Sequence, residues 1–459
     1  LQIQLSKTQT KYLPYVMAIA LFMQILDATI LNTALPKMAT ALGESPLNMQ
    51  WAVISYALTL AIFIPISGFL ADKYGSRNVF LIAVSIFCVG SLLCALSGSL
   101  PALIASRIIQ GIGGAMMTPV ARLILVKSFP RNQLLSVMNF AVIPALIAPL
   151  LGPLLGGYLV EYASWHWIFL INIPMGLIGL ILGRSLIPDL REQINRLDWL
   201  GFFLFATAVS GLTLALEFGS HVGQLNLAIV LAITAIVLLV GYFWHAKRHA
   251  SPLFSLSLFK VDTFRIGIAG NLFTRLGISA VPFLLPLLLQ VVFDFSPSQA
   301  GWFLAPIAIG AMGVKPLVTP AIRRFSFRVV LIVNTILLGL LIMALSLFKD
   351  GSQWVIFSPL MVVLGACNSI QFSAMNTITI SDLQGQQISS GNSLMAVNQQ
   401  LAIGFGIAFG ATVLNMLRGR WQVETLVAFH DTFLLLGVVT ILSGLYFLRL
   451  PPKAGDSLY

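Results

Sequence analysis

Asp27 lies inside the first long apolar run of the sequence, 13–35, and Arg107 inside the fourth, 101–124. A charge at the centre of a lipid bilayer costs about 2.5–3.5 kcal/mol on insertion scales, so each residue needs a partner or a task. A buried salt bridge that opens when Asp27 takes a proton supplies both. Desolvation favours the neutral acid and the guanidinium favours the carboxylate, so the occupancy of the site decides whether the proton binds. That is the chemistry of proton coupling. The same two residues also fit a static buried pair that fixes helix packing. Of the fifteen acidic residues, Asp27 is the one read as lying well inside a span.

Gln24, Asp27 and Asn32 share one broad arc of a helix, because offsets of three and eight residues rotate by about −60° and +80°. The second half of the sequence offers Asn271 and Arg275 four apart, then Asn368, Gln371 and Asn376, then Asn392 and Gln399. These side chains are expected to line a substrate path, although polar groups also tie helices together in lipid. Arg275 and Lys315, added to Arg107, outnumber the single intramembrane acid, which disfavours a permanently cationic substrate. A neutral, zwitterionic or partly anionic compound fits better. Lys315 is near a span end, where snorkelling to the surface is the alternative role. Met23, Phe283, Phe372 and Met395 could line an adaptable apolar pocket, or pack in the core.

Gly111-Ile112-Gly113-Gly114 follows no strand and sits in an apolar helix, which reads as close helix packing and not as a phosphate cradle. Gly152, Pro153, Gly156 and Gly157 combine small residues with a helix-bending proline, a combination suited to a pivot or seal. His166, His221, His245, His249 and His430 fall near span ends without recognised metal-ligand spacing, so no metal site is expected. Cys88, Cys94 and Cys367 all lie in apolar stretches, against a disulfide framework or zinc site.

These residues require long membrane helices to position them. The 459 residues are 58% hydrophobic and 9% charged, with mean hydropathy +0.94. No soluble domain of this size approaches that balance. Apolar runs place spans near 13–35, 51–71, 79–99, 101–124, 134–159, 165–187, 199–217, 225–245, 264–290, 299–319, 329–348, 354–379, 389–414 and 430–449. The first run lacks a small-residue cleavage site and reads as a retained span, and the leading Leu suggests that the native start is missing. Alternating the spans from a cytoplasmic N-terminus puts about 18 of the 26 Lys and Arg inside and about 4 outside. The inside set includes Lys73 and Arg77, Lys127 and Arg131, Arg191 and Arg196, Lys247 and Arg248, and Arg323, Arg324 and Arg328. Both termini are therefore expected in the cytoplasm, and the net charge of +11 reflects topology, not nucleic-acid binding.

The expected architecture is an all-α membrane protein with 14 transmembrane helices: a six-helix bundle over 1–187, a linker with two additional helices over 188–263, and a second six-helix bundle over 264–459. Asp72-Lys73-Tyr74-Gly75-Ser76-Arg77 follows the second span, and Arg323-Arg324-Phe325-Ser326-Phe327-Arg328 takes the corresponding place in the second half.

The run Gly68-Phe69-Leu70-Ala71-Asp72-Lys73-Tyr74-Gly75-Ser76-Arg77 resembles the cytoplasmic loop signature of the major facilitator superfamily. Leu26-Asp27-Ala28-Thr29-Ile30-Leu31-Asn32-Thr33-Ala34-Leu35-Pro36 is similar to the first-span motif of its fourteen-span drug:proton antiporters, the EmrB/QacA type. Arg107-Ile108-Ile109-Gln110-Gly111 resembles their fourth-span motif, and the Gly152–Gly157 run their span-five antiporter motif, with Ala148 where Gly is frequent. Trp165-His166-Trp167-Ile168-Phe169-Leu170-Ile171-Asn172-Ile173-Pro174 also matches, with His166 where Arg is common. The resemblance implies a major facilitator fold with alternating access. It assigns proton coupling to Asp27 and Arg107, and gating to Asp72, Arg77 and the Gly-Pro-Gly-Gly run.

The function expected is proton-coupled export of small amphipathic compounds or drugs across the bacterial inner membrane, with protons as the coupling ion and no cofactor. Two alternatives stand beside it: a dedicated exporter of one small zwitterionic or anionic metabolite, and a non-transporting membrane receptor. An ATP-driven pump is disfavoured by the lack of a phosphate loop or a sizeable nucleotide domain, and a channel by the lack of a recognisable filter. The expected partners are the lipid bilayer, a small-molecule substrate and protons. The sequence identifies no periplasmic accessory protein.

Overall fold

The computed structural model describes residues 6–129, 131–191, 197–220, 224–384, 386–452 and 454–455. Arg196, His221 and the side chain of Arg131 lie outside the described residues. Every regular element among the described residues is helical. In order they are α1 (Lys7–Ile30), α2 (Leu35–Leu42), α3 (Gln50–Tyr74), α4 (Ser76–Ala95), α5 (Leu100–Ser128), α6 (Arg131–Tyr162), α7 (Trp167–Leu170), α8 (Asn172–Leu186), α9 (Trp199–Ser220), α10 (Leu225–Arg248), α11 (Asp262–Ile278), α12 (Val281–Leu287), α13 (Pro297–Gly313), α14 (Lys315–Ala344), α15 (Trp354–Ile380), α16 (Gln386–Asn415) and α17 (Thr425–Gly444). Twelve described segments are long and apolar enough to cross a membrane. Beside them stand α6, of 32 residues, and α13, of 17.

Local chemistry sets the ends. Ser6 accepts from the Gln9 N–H while Gln9 returns a bond to the Ser6 N–H, a reciprocal box at the start of α1. Ser99 caps α5 through the Ala102 N–H. Helix α10 leaves Val230, Ile233, Ile236, Val237 and Val240 exposed, an apolar flank that lipid must solvate.

The chain forms two compact units, one of residues 1–197 with 296–302, the other of residues 198–295 with 303–459. In the first, glycines let helices approach closely. A Cβ at Gly113 would stand 2.5 Å from the backbone N of Phe87, and one at Gly90 equally near the Gln110 backbone. Such contacts let dispersion forces between backbones replace the hydrophobic effect that is absent between helices in lipid.

In the second unit, α9 and α10 pair as a hairpin whose α9 flank lies on α16, where Thr412 Oγ1 donates to the Leu216 carbonyl. Asp198 caps α9 and ties in both α10 and the segment beyond it. Its carboxylate accepts from the N–H groups of Gly201 (2.8 Å) and Leu253 (3.2 Å) and meets His245 Nε2 at 2.7 Å. Burial pushes the Asp198 carboxyl up, but the Gly201, His245 and Leu253 bonds outweigh it and hold it below the usual carboxylate range.

The expected break between the spans 299–319 and 329–348 lies inside α14, where Ser326 leaves helical geometry with φ 68° and ψ 157°. Gly75, between α3 and α4, has φ 95° and ψ 131°. The neighbours also correspond. Ser76 donates to the Pro188 and Leu190 carbonyls after α8, while Phe327 packs with Leu450 and Ala454 after α17.

Candidate functional site

Asp27 and Arg107 meet, each 1% exposed. The partners come from α1 and α5, with α3, α4 and α8 completing the shell. Arg107 Nη1 donates to Asp27 Oδ2 at 2.7 Å and to Gln110 Oε1 at 2.6 Å, while Nε donates to the Ala52 carbonyl at 2.9 Å. The guanidinium lies over the Tyr56 ring, 4.1 Å from its centre. Asp27 Oδ1 accepts from Gln110 Nε2 at 2.7 Å and Asn172 Nδ2 at 2.9 Å, and both amides also donate to Ser91 Oγ. The carboxylate thus holds one cationic and two neutral donors, enough to keep a charge in lipid. Asn172 Oδ1 and the Tyr56 hydroxyl are buried without hydrogen-bond partners.

The other residues read from the sequence are only partly gathered. Gln24 and Thr118 share a hydrogen bond, and Asn32 is half-buried in the turn after α1. In the second unit Arg275 Nε donates to Asn271 Oδ1 at 2.9 Å, with its guanidinium 5.2 Å from the centre of the Phe372 ring. Asn334 Nδ2 donates to Gln371 Oε1, leaving Gln371 Nε2 and Asn271 Nδ2 buried and unpaired. Gln399 Nε2 donates to Asn376 Oδ1 at 2.8 Å, and Lys315 Nζ to Ser373 Oγ at 3.3 Å. Asn368 is half-buried, whereas Asn392 is exposed and takes no part in the Gln399–Asn376 bond.

Among the residues read as gating, Asp72 pairs with Lys127 at 2.8 Å, and Arg77 is in the first turn of α4. Cβ atoms at Gly152 and Gly156 would strike Thr29 and the Ile30 carbonyl of α1, and one at Gly157 the Pro297 carbonyl. Thr33 Oγ1 donates to the Pro153 carbonyl at 3.4 Å. The run is therefore a close-packed seam along α6.

Gln110 and Asn172 stand in the sequence motifs without a role of their own, and Ser91 and Tyr56 carry no sequence signal. Gln110 follows Arg107 by three residues and so faces the same way, a usable signal. Glu217, placed at a span end, is only 5% exposed, so Asp27 is not the sole buried acid on a membrane helix. The histidines are not all scattered: His245 and His249 stand one turn apart with Asp198 beside them.

Residues 17–407 match the family model of the Major Facilitator Superfamily, and residues 267–458 match it again. The chain belongs to this superfamily. Relatives named MdtD, provisionally assigned to multidrug resistance, align along nearly the whole length. That of Serratia proteamaculans is 43% identical over 95% of this chain and 93% of its own. That of Escherichia coli O6:H1 is 44% identical over 96% and 95%. Among solved structures, an auto-inhibited POT family peptide transporter has a TM-score of 0.70 at 15% identity, covering 96% of both chains, which shows the shared fold. This member of the superfamily is a multi-pass membrane transport protein of small molecules.

Proposed function

We propose that the chain is a proton-coupled antiporter that exports small amphipathic compounds across the bacterial inner membrane by alternating access. The proposal includes fourteen spans of the drug:proton antiporter type, arranged over 1–187, 188–263 and 264–459, with both termini cytoplasmic. Asp27 carries the reading: a fully buried carboxylate held by one guanidinium and two amides, next to an acceptor with no partner.

A proton on Asp27 removes the negative charge that Arg107 Nη1 is paired with and weakens that bond. Arg107 keeps the Ala52 carbonyl, Gln110 Oε1 and the Tyr56 ring as partners for its charge. A turn of the Asn172 amide would offer its unpaired Oδ1 to a proton on Asp27 Oδ1, in exchange for the bonds that its Nδ2 makes to Asp27 and Ser91. Asp27 thus has a charged state held by three donors and a neutral state in which those bonds weaken or exchange, the alternation a transporter needs if substrate and proton are to exclude one another. In proteoliposomes, a pH gradient should drive substrate movement that stops when the gradient is collapsed and is lost in Asp27→Asn. Gradient-independent flux in both proteins would contradict the reading.

A second reading, a dedicated exporter of one small anionic or zwitterionic metabolite, is favoured by Arg275 with the unpaired Nδ2 of Asn271 and Nε2 of Gln371. These are donors without an anionic partner among the described residues. Narrow competition among substrates, abolished by Arg275→Ala, would select it; broad competition by amphipathic drugs would exclude it.

A further inference from the structure

The geometry points to a divalent transition-metal site of the zinc class formed by Asp198, His245 and His249, joining the start of α9 to the end of α10. One donor atom from each residue lies within 4.8 Å of the others. His245 is in the last turn of α10 and His249 caps it, so the two rings emerge from one side of the helix, with centroids 5.0 Å apart. Two histidines four apart on a helix, with a carboxylate from another element, suit a borderline-soft ion that accepts both imidazole and oxygen.

The donors are held in place. Both oxygens of Asp198 accept backbone N–H groups, which fixes the carboxylate plane and leaves lone pairs toward the rings. His249 Nδ1 accepts the Ser251 N–H at 3.2 Å, which marks it as the lone-pair nitrogen of the neutral ring, and an ion bound there takes the place of that bond. Lys247, two residues before His249, has its ammonium over the Phe243 ring, 4.4 Å from its centre.

His245 Nε2 and Asp198 Oδ1 are 2.7 Å apart, the separation of a shared proton. Two ligands about 2.0–2.2 Å from a tetrahedral ion stand roughly 3.4 Å from each other. Opening that pair by about 0.7 Å, with His249 closing from within 4.8 Å to the same separation, therefore admits the metal. The ion takes the proton's place between them, and in the neutral ring that proton moves to His245 Nδ1. Three protein ligands leave a fourth position for water. The ion staples both ends of the hairpin and, through Leu253, the segment that follows it.

The test uses tag-free, chelator-treated full-length protein in detergent, titrated with Co2+ and then challenged with Zn2+. The expected result is one Co2+ per chain with visible ligand-field bands of a tetrahedral site, displaced by Zn2+. Binding should be at least tenfold weaker in His249→Ala, an exposed position that leaves the fold intact. It should weaken equally in His245→Gln and be unchanged in His166→Ala. Zn2+ should also raise the melting temperature of the wild type and not of His249→Ala. Absence of the Co2+ bands, or bands of equal strength in His249→Ala, would overturn the site.

Discussion

Gly75 and Ser326 hold positive φ angles, 95° and 68°, at matching points of the segments 72–77 and 323–328. The first is a glycine and tolerates the geometry; the second is not and is strained, at about 1–3 kcal/mol for such a residue. Ser326→Gly is expected to raise thermal stability by about 1 kcal/mol after the entropy of a new glycine is subtracted. Gly75→Ala should lower it by more, because the added Cβ also meets the Asp189 carboxylate. Melting curves in detergent check both.

Gln110 is both donor to Asp27 and acceptor from Arg107. Hydrogen bonds to charged groups contribute about 1.5–3 kcal/mol, so Gln110→Leu should reduce pH-driven flux roughly tenfold to a hundredfold. Arg107→Lys should do no better, because an ammonium cannot donate in a planar fork to Ala52 and Asp27 while lying on Tyr56. Flux comparable to wild type in either variant would remove these residues from the mechanism.

The seam between α1 and α6 distinguishes two kinds of collision. Gly152→Ala meets the Thr29 side chain, and Gly156→Ala meets the Ile30 carbonyl as well as the Thr33 side chain. Each should cost about 1–3 kcal/mol of stability. Thr29→Ala removes the nearest atom, Oγ1, but keeps the Cβ 2.7 Å away, so it should restore part of the loss for Gly152→Ala, while Thr33→Ala should restore less for Gly156→Ala, since the Ile30 carbonyl cannot be trimmed. A double-mutant cycle on melting temperature reads the difference.

Glu161, just beyond its span, accepts the Ser298 N–H at 2.9 Å. Desolvation pushes its carboxyl up, but bonds from Ser298, Ser296 and Tyr162 outweigh it and hold the group below the usual range. A depressed folded-state value means that the tie stabilises above the unfolded carboxylate value and is lost as pH falls through the folded one. Hydrogen exchange at 296–302, compared with Glu161→Gln at each pH, should show extra wild-type protection at neutral pH. That difference should shrink as pH falls below the ordinary glutamate range and vanish only below the depressed folded-state value.

The pairing of Asp27 with Arg107 was legible because charges in apolar runs are rare and expensive. The helical class followed from the length of those runs. Gln110 and Asn172 were harder to find, since neutral amides inside spans serve packing as readily as function. Asn392 shared a sequence spacing with Gln399 but not its hydrogen bond, because phase along one helix does not fix which neighbours reach it. His245 and His249 carried the four-residue spacing in plain view. Their acidic neighbour, Asp198, comes from another helix, and only tertiary structure joins them. Glu217 looked like a span-end acid because hydropathy does not report how deeply a helix terminus is packed.

The central claim is that Asp27 carries the exchangeable proton. Purified protein in weakly buffered detergent solution, challenged with amphipathic compounds and small anions, tests it by proton release. Wild type should release protons on binding substrate, and Asp27→Asn should bind without release. Release that survives in Asp27→Asn would contradict the account and move the coupling acid elsewhere, with buried Glu217 the next residue to substitute.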